Sequence, residues 1–372
     1  MNEKIISGIQ QIGIGIEHNV KEAWKWYHKV FGTDIKVFED TTVAELMLPY
    51  TGGKPQKRHA ALALNLQGGG GFEIWKYTQR KPQKPAFDVK LGDLGIFAAK
   101  IKCKDVKETY SILKEQGVEI LNKPEPTPAG EETFFIKDPF GNHFQMVETN
   151  SWYKNEKKHS GGIYGAVIGV SDVNKAKKVY SEILGYDEVI YDREGSFIDL
   201  NVLPGGNEEF RRVLLGHSEP RKGGFSLLLG DSNIELVQVK SREARKIYKD
   251  RYWGDPGFIH LCFDIHGMNK LKEECKAKGF DFTVDSHVKH NNKNSFDMGE
   301  AAGHFSYIED PDGTLIEFVE THKVPLIKKL GWYIKLKKRN PHKPLPNWMI
   351  KSLSFNRIKF KDKVKKKKNK KR

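Results

Sequence analysis

Asp310-Pro311-Asp312-Gly313-Thr314-Leu315-Ile316-Glu317-Phe318-Val319 reads as a tight turn feeding a short strand, with Asp-Pro opening the turn and Gly closing it. The phrase recurs as Asp138-Pro139-Phe140-Gly141-Asn142 followed by Phe144-Gln145-Met146-Val147. Two further strands of this kind, Phe72-Glu73-Ile74-Trp75 and Ile234-Glu235-Leu236-Val237, lack the turn. Four kindred strand endings make a repeat, and a repeat governs the fold before any single element does.

Reading backwards from each ending gives one module: an apolar strand, a polar cap, an amphipathic helix and a glycine stop. The first runs through Gln11-Ile12-Gly13-Ile14-Gly15-Ile16, then a helix from Asn19 with Val20, Ala23, Trp24, Tyr27, Val30 and Phe31 on one face, to Gly32. The others begin at Ile96, Ile163 and Phe258 and stop at Gly117, Gly185 and Gly279. Modules one and three share Tyr27…Phe31-Gly32 and Tyr180…Leu184-Gly185, whereas two and four share the turn, so a two-module unit is duplicated. The expected class is α+β. Two halves, residues 1–150 and 151–322, hold two βαβββ modules each, the polar stretch 150–159 joins them, and residues 323–372 form a basic amphipathic tail.

Composition narrows the function classes. With 38% apolar and 30% charged residues, 372 residues suit neither a membrane-embedded nor a disordered chain, and no apolar run approaches the roughly 18 residues of a spanning helix. Cys103, Cys262 and Cys275 lack the spacing of a disulfide framework or zinc ribbon. No secretory leader is readable, so the expectation is a cytoplasmic protein. The net charge of +15 resides in the tail, where residues 323–372 hold 20 Lys and Arg against Asp362 alone. Residues 1–322 carry 43 bases and 47 acids, which makes nucleic acid an unsuitable partner for the body. The tail interleaves Leu326, Ile327, Leu330, Trp332, Tyr333, Trp348, Ile350 and Phe355 with lysines and ends in Lys365 to Lys368 and Lys370 to Arg372. That pattern suits peripheral attachment to an anionic inner membrane surface, with nucleic-acid contact or a solvated tail as alternatives.

The βαβββ pattern resembles the vicinal oxygen chelate superfamily, which contains glyoxalase I, extradiol dioxygenases and bleomycin-resistance proteins; the resemblance covers about residues 8–322. It implies two cups of curved strands and a metal held by the first and last strand of each module. Carried over one by one, the ligand positions are Gln11 and Glu73, Ala98 and Gln145, Gly165 and Glu235, and His260 and Glu317. Pairing within halves completes neither cup. Pairing across halves, as in single-chain members that resemble a fused glyoxalase I dimer, unites Gln11, Glu73, His260 and Glu317 and leaves the other cup without ligands. The cross-half arrangement is preferred, and a monomeric pseudo-dimer follows from it. One imidazole, two carboxylates and an amide oxygen suit one divalent ion, whether Zn, Ni, Mn, Co or Fe. Inward-facing Glu73 and Glu317 are costly unless they meet a metal, a proton or a base.

The function this resemblance implies is that of a glyoxalase I-like lyase or isomerase acting through an enediolate on a small substrate with adjacent oxygens, with Glu317 as catalytic base. One alternative is an extradiol dioxygenase, for which Gly165 stands where a histidine is needed and His287, His290 and His304 fall at no matching position. The other is a non-catalytic binder using Trp24, Trp26, Trp75 and Trp253. Cys262 shares the face of His260 and reads as small packing. Gly68 to Gly71 read as a loop before Glu73. Arg211 and Arg212 suit a solvated strand face, or a grip on an anionic substrate.

Overall fold

The computed structural model describes residues 3–287, 296–297, 302–327, 332–336 and 339–360. Module one comprises β1 (Ile5–Gly15), α1 (Val20–Phe31), β2 (Ile35–Ala44), β3 (Gln56–Leu64) and β4 (Gly71–Tyr77). Module two has β5 (Gly95–Cys103), α2 (Val106–Glu115), β6 (Glu119–Ile120), β7 (Glu125–Pro126), β8 (Glu132–Lys137) and β9 (His143–Glu148). Module three has β10 (Ser160–Gly169), α3 (Val173–Tyr180), β11 (Glu188–Gly195), β12 (Phe210–Gly216), α4 (Ser226–Leu229) and β13 (Asn233–Val239). Module four has β14 (Gly257–His266), α5 (Met268–Ala277), β15 (Val284–Asp285), β16 (Phe296–Asp297), β17 (Ala302–Glu309) and β18 (Leu315–Ile327), and β19 (Trp332–Lys335) and α6 (Asn347–Ser352) follow.

The helices start where their caps direct. Asn19, Asp105 and Asp172 each accept backbone N–H groups of the first turn, and Gly32 leaves α1 in the left-handed conformation. The strands form two curved sheets, and each draws on both halves of the chain. One has the order β15-β17-β18-β14-β1-β4-β3-β2, joining module four to module one through antiparallel β14 and β1. The other, β11-β12-β13-β10-β5-β9-β8-β6, joins module three to module two through β10 and β5. The cups are therefore built across the halves, while the outer sheet faces and the helices share one core that includes Phe31, Phe72, Phe144, Phe258 and Phe318.

Two tyrosines weld the modules within each half. Tyr27 Oη on α1 donates to Asp138 Oδ2 (2.6 Å), and Tyr180 Oη on α3 donates to Asp310 Oδ2 (2.9 Å). The second oxygen of Asp310 accepts the N–H groups of Asp312 and Thr314 and so shapes the turn. Buried Lys102 donates Nζ to the carbonyls of Gly68, Ser151 and Leu229, tying the β3–β4 turn, the inter-half linker and α4 together. The four glycines at 68–71 thus form a buried structural turn.

The expected boundary at 322/323 falls inside β18, which runs on and pairs with β19. Residues 339–360 then cross back over the body: Leu345 N donates to Gly224 O, Tyr153 Oη to Asn347 O, and Ile358 N to Asp34 O. Arg357 bridges Asp34 and Glu156, and Phe360 sets its ring edge-on to Trp24. This segment is a strap on the body; the lysine-rich end over 365–372 lies outside the described residues. Among the described residues, no helix is long and apolar enough to cross a membrane.

The tyrosine–aspartate weld gives a pH test. Burial pushes the Asp310 carboxyl up to about 6, so between about pH 4 and 6 the folded chain holds a proton that the unfolded chain has released. This group's contribution favours the fold at low pH and is withdrawn as pH rises through 6. Asp310→Asn should flatten that fall in urea-unfolding stability, and Tyr180→Phe should cost about 1–2 kcal/mol.

Candidate metal centre

Gln11 on β1, Glu73 on β4, His260 on β14 and Glu317 on β18 project from four adjacent strands into the cup of modules one and four, and all four are buried. Register places them there. Gly13 pairs with His260 on one side and with Glu73 on the other, Gln11 faces Cys262, and Cys262 neighbours Glu317. Gly13 must be a glycine, because a Cβ at that position would sit 2.5 Å from the imidazole Cε1 of His260.

The ligand atoms of Glu73, His260 and Glu317 all lie within 4.8 Å of one another. His260 Nε2 is 3.0 Å from Glu317 Oε2 and 3.4 Å from Glu73 Oε2, while Gln11 Nε2 reaches the same carboxylates at 3.3 and 3.4 Å. The His260 contacts are ion-pair distances without hydrogen-bond alignment, since both its ring nitrogens lack a partner, as does Gln11 Oε1. Burial works against a charged imidazole, but the carboxylates of Glu317 and Glu73 outweigh it and raise His260 to about 9. A metal ion at these donors would compete with a proton for the imidazole. An unpartnered amide oxygen and an unpartnered imidazole beside two carboxylates are the donors a divalent ion takes, so the residues fit a metal.

The surroundings are aromatic. Trp253 stacks near His260 (6.0 Å between centroids, 9°), Tyr307 meets that ring edge-on at 5.6 Å, and Trp75 meets Trp253 at 4.5 Å. Leu228 and Leu229 of α4 and Leu345 and Ile350 of the strap join Trp75, Tyr77, Trp253 and Tyr307 in one apolar cluster, which meets His260 through Trp253 and Tyr307. Trp24 instead bonds Thr33 O through its indole N–H behind the sheet, and Trp26 packs in the helix-side core. Tyr307 was not singled out in the sequence. It lies opposite Glu317 in the β17–β18 ladder, and burial followed by the charges of Glu317 and Glu73 keeps its phenol protonated far above the usual range. Burial and the Glu317 charge likewise push the Cys262 thiol up.

The other expected positions do not form such a centre. Ala98 is buried among apolar side chains, and a Cβ at Gly165 would collide with Asn233 O at 1.7 Å. Gln145 donates to Thr133 Oγ1. Glu235 is met by the protein's own cations: Lys100 Nζ at 2.5 Å, Arg212, and the Tyr191 hydroxyl at 2.8 Å. Burial favours the neutral acid there, yet Arg212 and Lys100 hold Glu235 at about 2. The expectation of Arg212 on a solvated strand face, or as a grip on substrate, is corrected: its guanidinium is fully buried between Glu235 and Asp199. Arg211 pairs with Asp192 outside. His304 bonds Asp285 (2.7 Å) and meets His287 with its ring tilted by 37°, and it is not among the clustered ligands; His290 lies outside the described residues.

A family model described as Glyoxalase/Bleomycin resistance protein/Dioxygenase superfamily matches residues 16–146, and another of the same description matches residues 166–296. Together they take in more than half of the sequence, and the chain belongs to this superfamily. No curated protein sequence matches it. Among solved structures, a point variant of glyoxalase I from Zea mays is similar with a TM-score of 0.51 at 14% identity, over 85% of this chain and 94% of that one. The Zea mays enzyme itself gives 0.50 at 14% identity, over 86% and 92%. A Bacillus subtilis protein described provisionally as a dioxygenase gives 0.52 at 13% identity, over 86% of each chain. At such identities the likeness speaks to the fold alone.

Elemental analysis of the purified chain should find one divalent ion, lost in Glu73→Ala and in Gly13→Ala and retained in Gln145→Ala. Retention by Glu73→Ala would place the ion elsewhere.

Proposed function

We propose that this superfamily member is a metal-dependent lyase or isomerase of the glyoxalase I kind, moving a proton between adjacent carbons of a small substrate that carries two neighbouring oxygens. The observation that supports this reading most is the convergence of Glu73, His260 and Glu317 with Gln11 in a buried cup. A divalent ion held by these four residues would supply Lewis acidity that makes a C–H beside a carbonyl easier to ionise.

The chain's own residues provide the rest. Glu317 Oε2 is the base: it takes the proton from one carbon and returns it to the next, as a carboxylate in a poorly hydrated pocket is suited to do. Glu73, on the opposite side of His260, stays an anchor. Tyr307 presents a protonated phenol toward Glu317, placed to steady the carboxylate, and Trp75 and Trp253 keep water from the reacting carbons. The extradiol alternative requires a second histidine in the cup, and His260 is the one imidazole among the described residues of the cluster. The aromatic lining suits a non-catalytic binder as well, and solvent exchange separates the two.

In deuterated buffer, the metal-loaded chain should exchange the C–H protons of a hydroxy-ketone such as dihydroxyacetone, followed by proton NMR. Glu317→Gln should slow exchange by roughly 10²-fold or more, the scale of lost general-base catalysis, while reducing bound metal far less. Equal loss of both would remove Glu317 from the base role, and a metal-loaded chain that binds but never exchanges would be a binder.

A further inference from the structure

The strap over residues 339–360 has two faces. Its inner face belongs to the cup: Leu345 and Ile350 are 4% and 1% exposed and share an apolar cluster with Trp75, Trp253 and Tyr307. Its outer face carries Trp348 and Phe355, 58% and 75% exposed, which is far from what packing would give two large aromatic rings. Trp348 and Ile350 are two residues apart on α6, so this short element separates a buried side from a solvent side. Leu227 of α4, 46% exposed, belongs to the segment that the strap touches through Leu345 N and Gly224 O. Lys343, Lys351 and Lys359 are exposed along the same strap, and the sequence from 323 onward holds 20 Lys and Arg against one acid.

We infer that this outer face docks the protein on an anionic lipid bilayer, with Trp348 and Phe355 entering the headgroup region and the strap lysines meeting lipid phosphates and carboxylates. Amphipathic rings gain at the membrane interface, and lysine stems lie along apolar surface while their ammonium groups stay in water beside anionic headgroups. Charge complementarity favours this part of the chain, because residues 1–322 carry 43 bases against 47 acids and the excess of positive charge follows from residue 323 onward. An exposed leucine next to the strap adds apolar area that a lipid interface rewards and a nucleic-acid backbone does not. Since Leu345 and Ile350 share an apolar cluster with Trp75, Trp253 and Tyr307, docking through the outer face would set that cluster beside the bilayer. The inference is independent of the reaction proposed above.

The test is co-sedimentation of the full chain with vesicles of phosphatidylcholine, with and without phosphatidylserine. The chain should pellet with the anionic vesicles and not with pure phosphatidylcholine, with a blue shift of tryptophan emission and release by added salt. The double substitution Trp348→Ser with Phe355→Ser should weaken the partition coefficient by about 10-fold, the scale of withdrawing two interfacial rings, with the melting temperature unchanged because both rings are exposed. Lys351→Glu with Lys359→Glu probes the same face without touching a ring and should weaken binding similarly. Equal binding to both vesicle types, no binding, or undiminished binding by the aromatic variant would overturn the inference. So would release from the vesicles by a duplex oligonucleotide at concentrations where soluble phosphoserine has no effect.

Discussion

Everything at the candidate centre depends on the antiparallel pairing of β1 with β14, the first strands of the first and last modules. Residues 11 and 260 come from opposite ends of the repeat, and the ladder that puts Gly13 against His260 and Gln11 against Cys262 makes neighbours of them. The parallel partners β4 and β18 then bring Glu73 and Glu317 from either flank. Gly13 leaves the room that the imidazole fills, because a Cβ there would sit 2.5 Å from His260 Cε1 and would displace the ring. A slip of one residue in this ladder would turn the inward set outward and dissolve the cluster.

The two cups apply one scaffold to a shared electrostatic problem. A carboxylate carried on the last strand of a module faces an interior where an unpaired charge is costly. In the cup of modules one and four, Glu73 and Glu317 share one imidazole and an amide, leaving donors with no protein partner. In the cup of modules two and three, Lys100 and Arg212 supply the positive charge covalently, Asp199 balances the guanidinium, and Tyr191 adds a hydroxyl. A built-in ammonium does for Glu235 what an ion would do for Glu317. Duplication thus produced one cup with open coordination and one with closed charge pairing.

Much of this was legible in the sequence because the repeat is local. Helix caps, glycine stops and the two Asp-Pro turns are encoded within a few residues of where they act, and the family resemblance carries the ligand positions onto Gln11, Glu73, His260 and Glu317. The roles of Tyr27 and Tyr180 were visible only as a shared feature of modules one and three; their bonds to Asp138 and Asp310 require the three-dimensional docking of helix on turn. Tyr307 and Lys100 escaped notice because each takes its meaning from a partner on another strand, which alternation along a single strand does not name. Arg212 misled for a related reason: next to Arg211 it looks like half of a solvated pair, and only period two with Leu214 inside the cup gives its depth. The strap misled most. It sits in a stretch that holds 20 Lys and Arg against one acid, so charge speaks of solvent, while Leu345, Ile350 and Arg357 fold it onto the body through contacts more than 100 residues away in sequence.

The central claim is that four strands from the two outer modules make one mixed-donor centre. X-ray absorption at the metal edge of the loaded chain reads that donor set directly. The account predicts a single imidazole in an otherwise oxygen-donor shell. Two or more imidazoles, or a sulfur scatterer from Cys262, would contradict it.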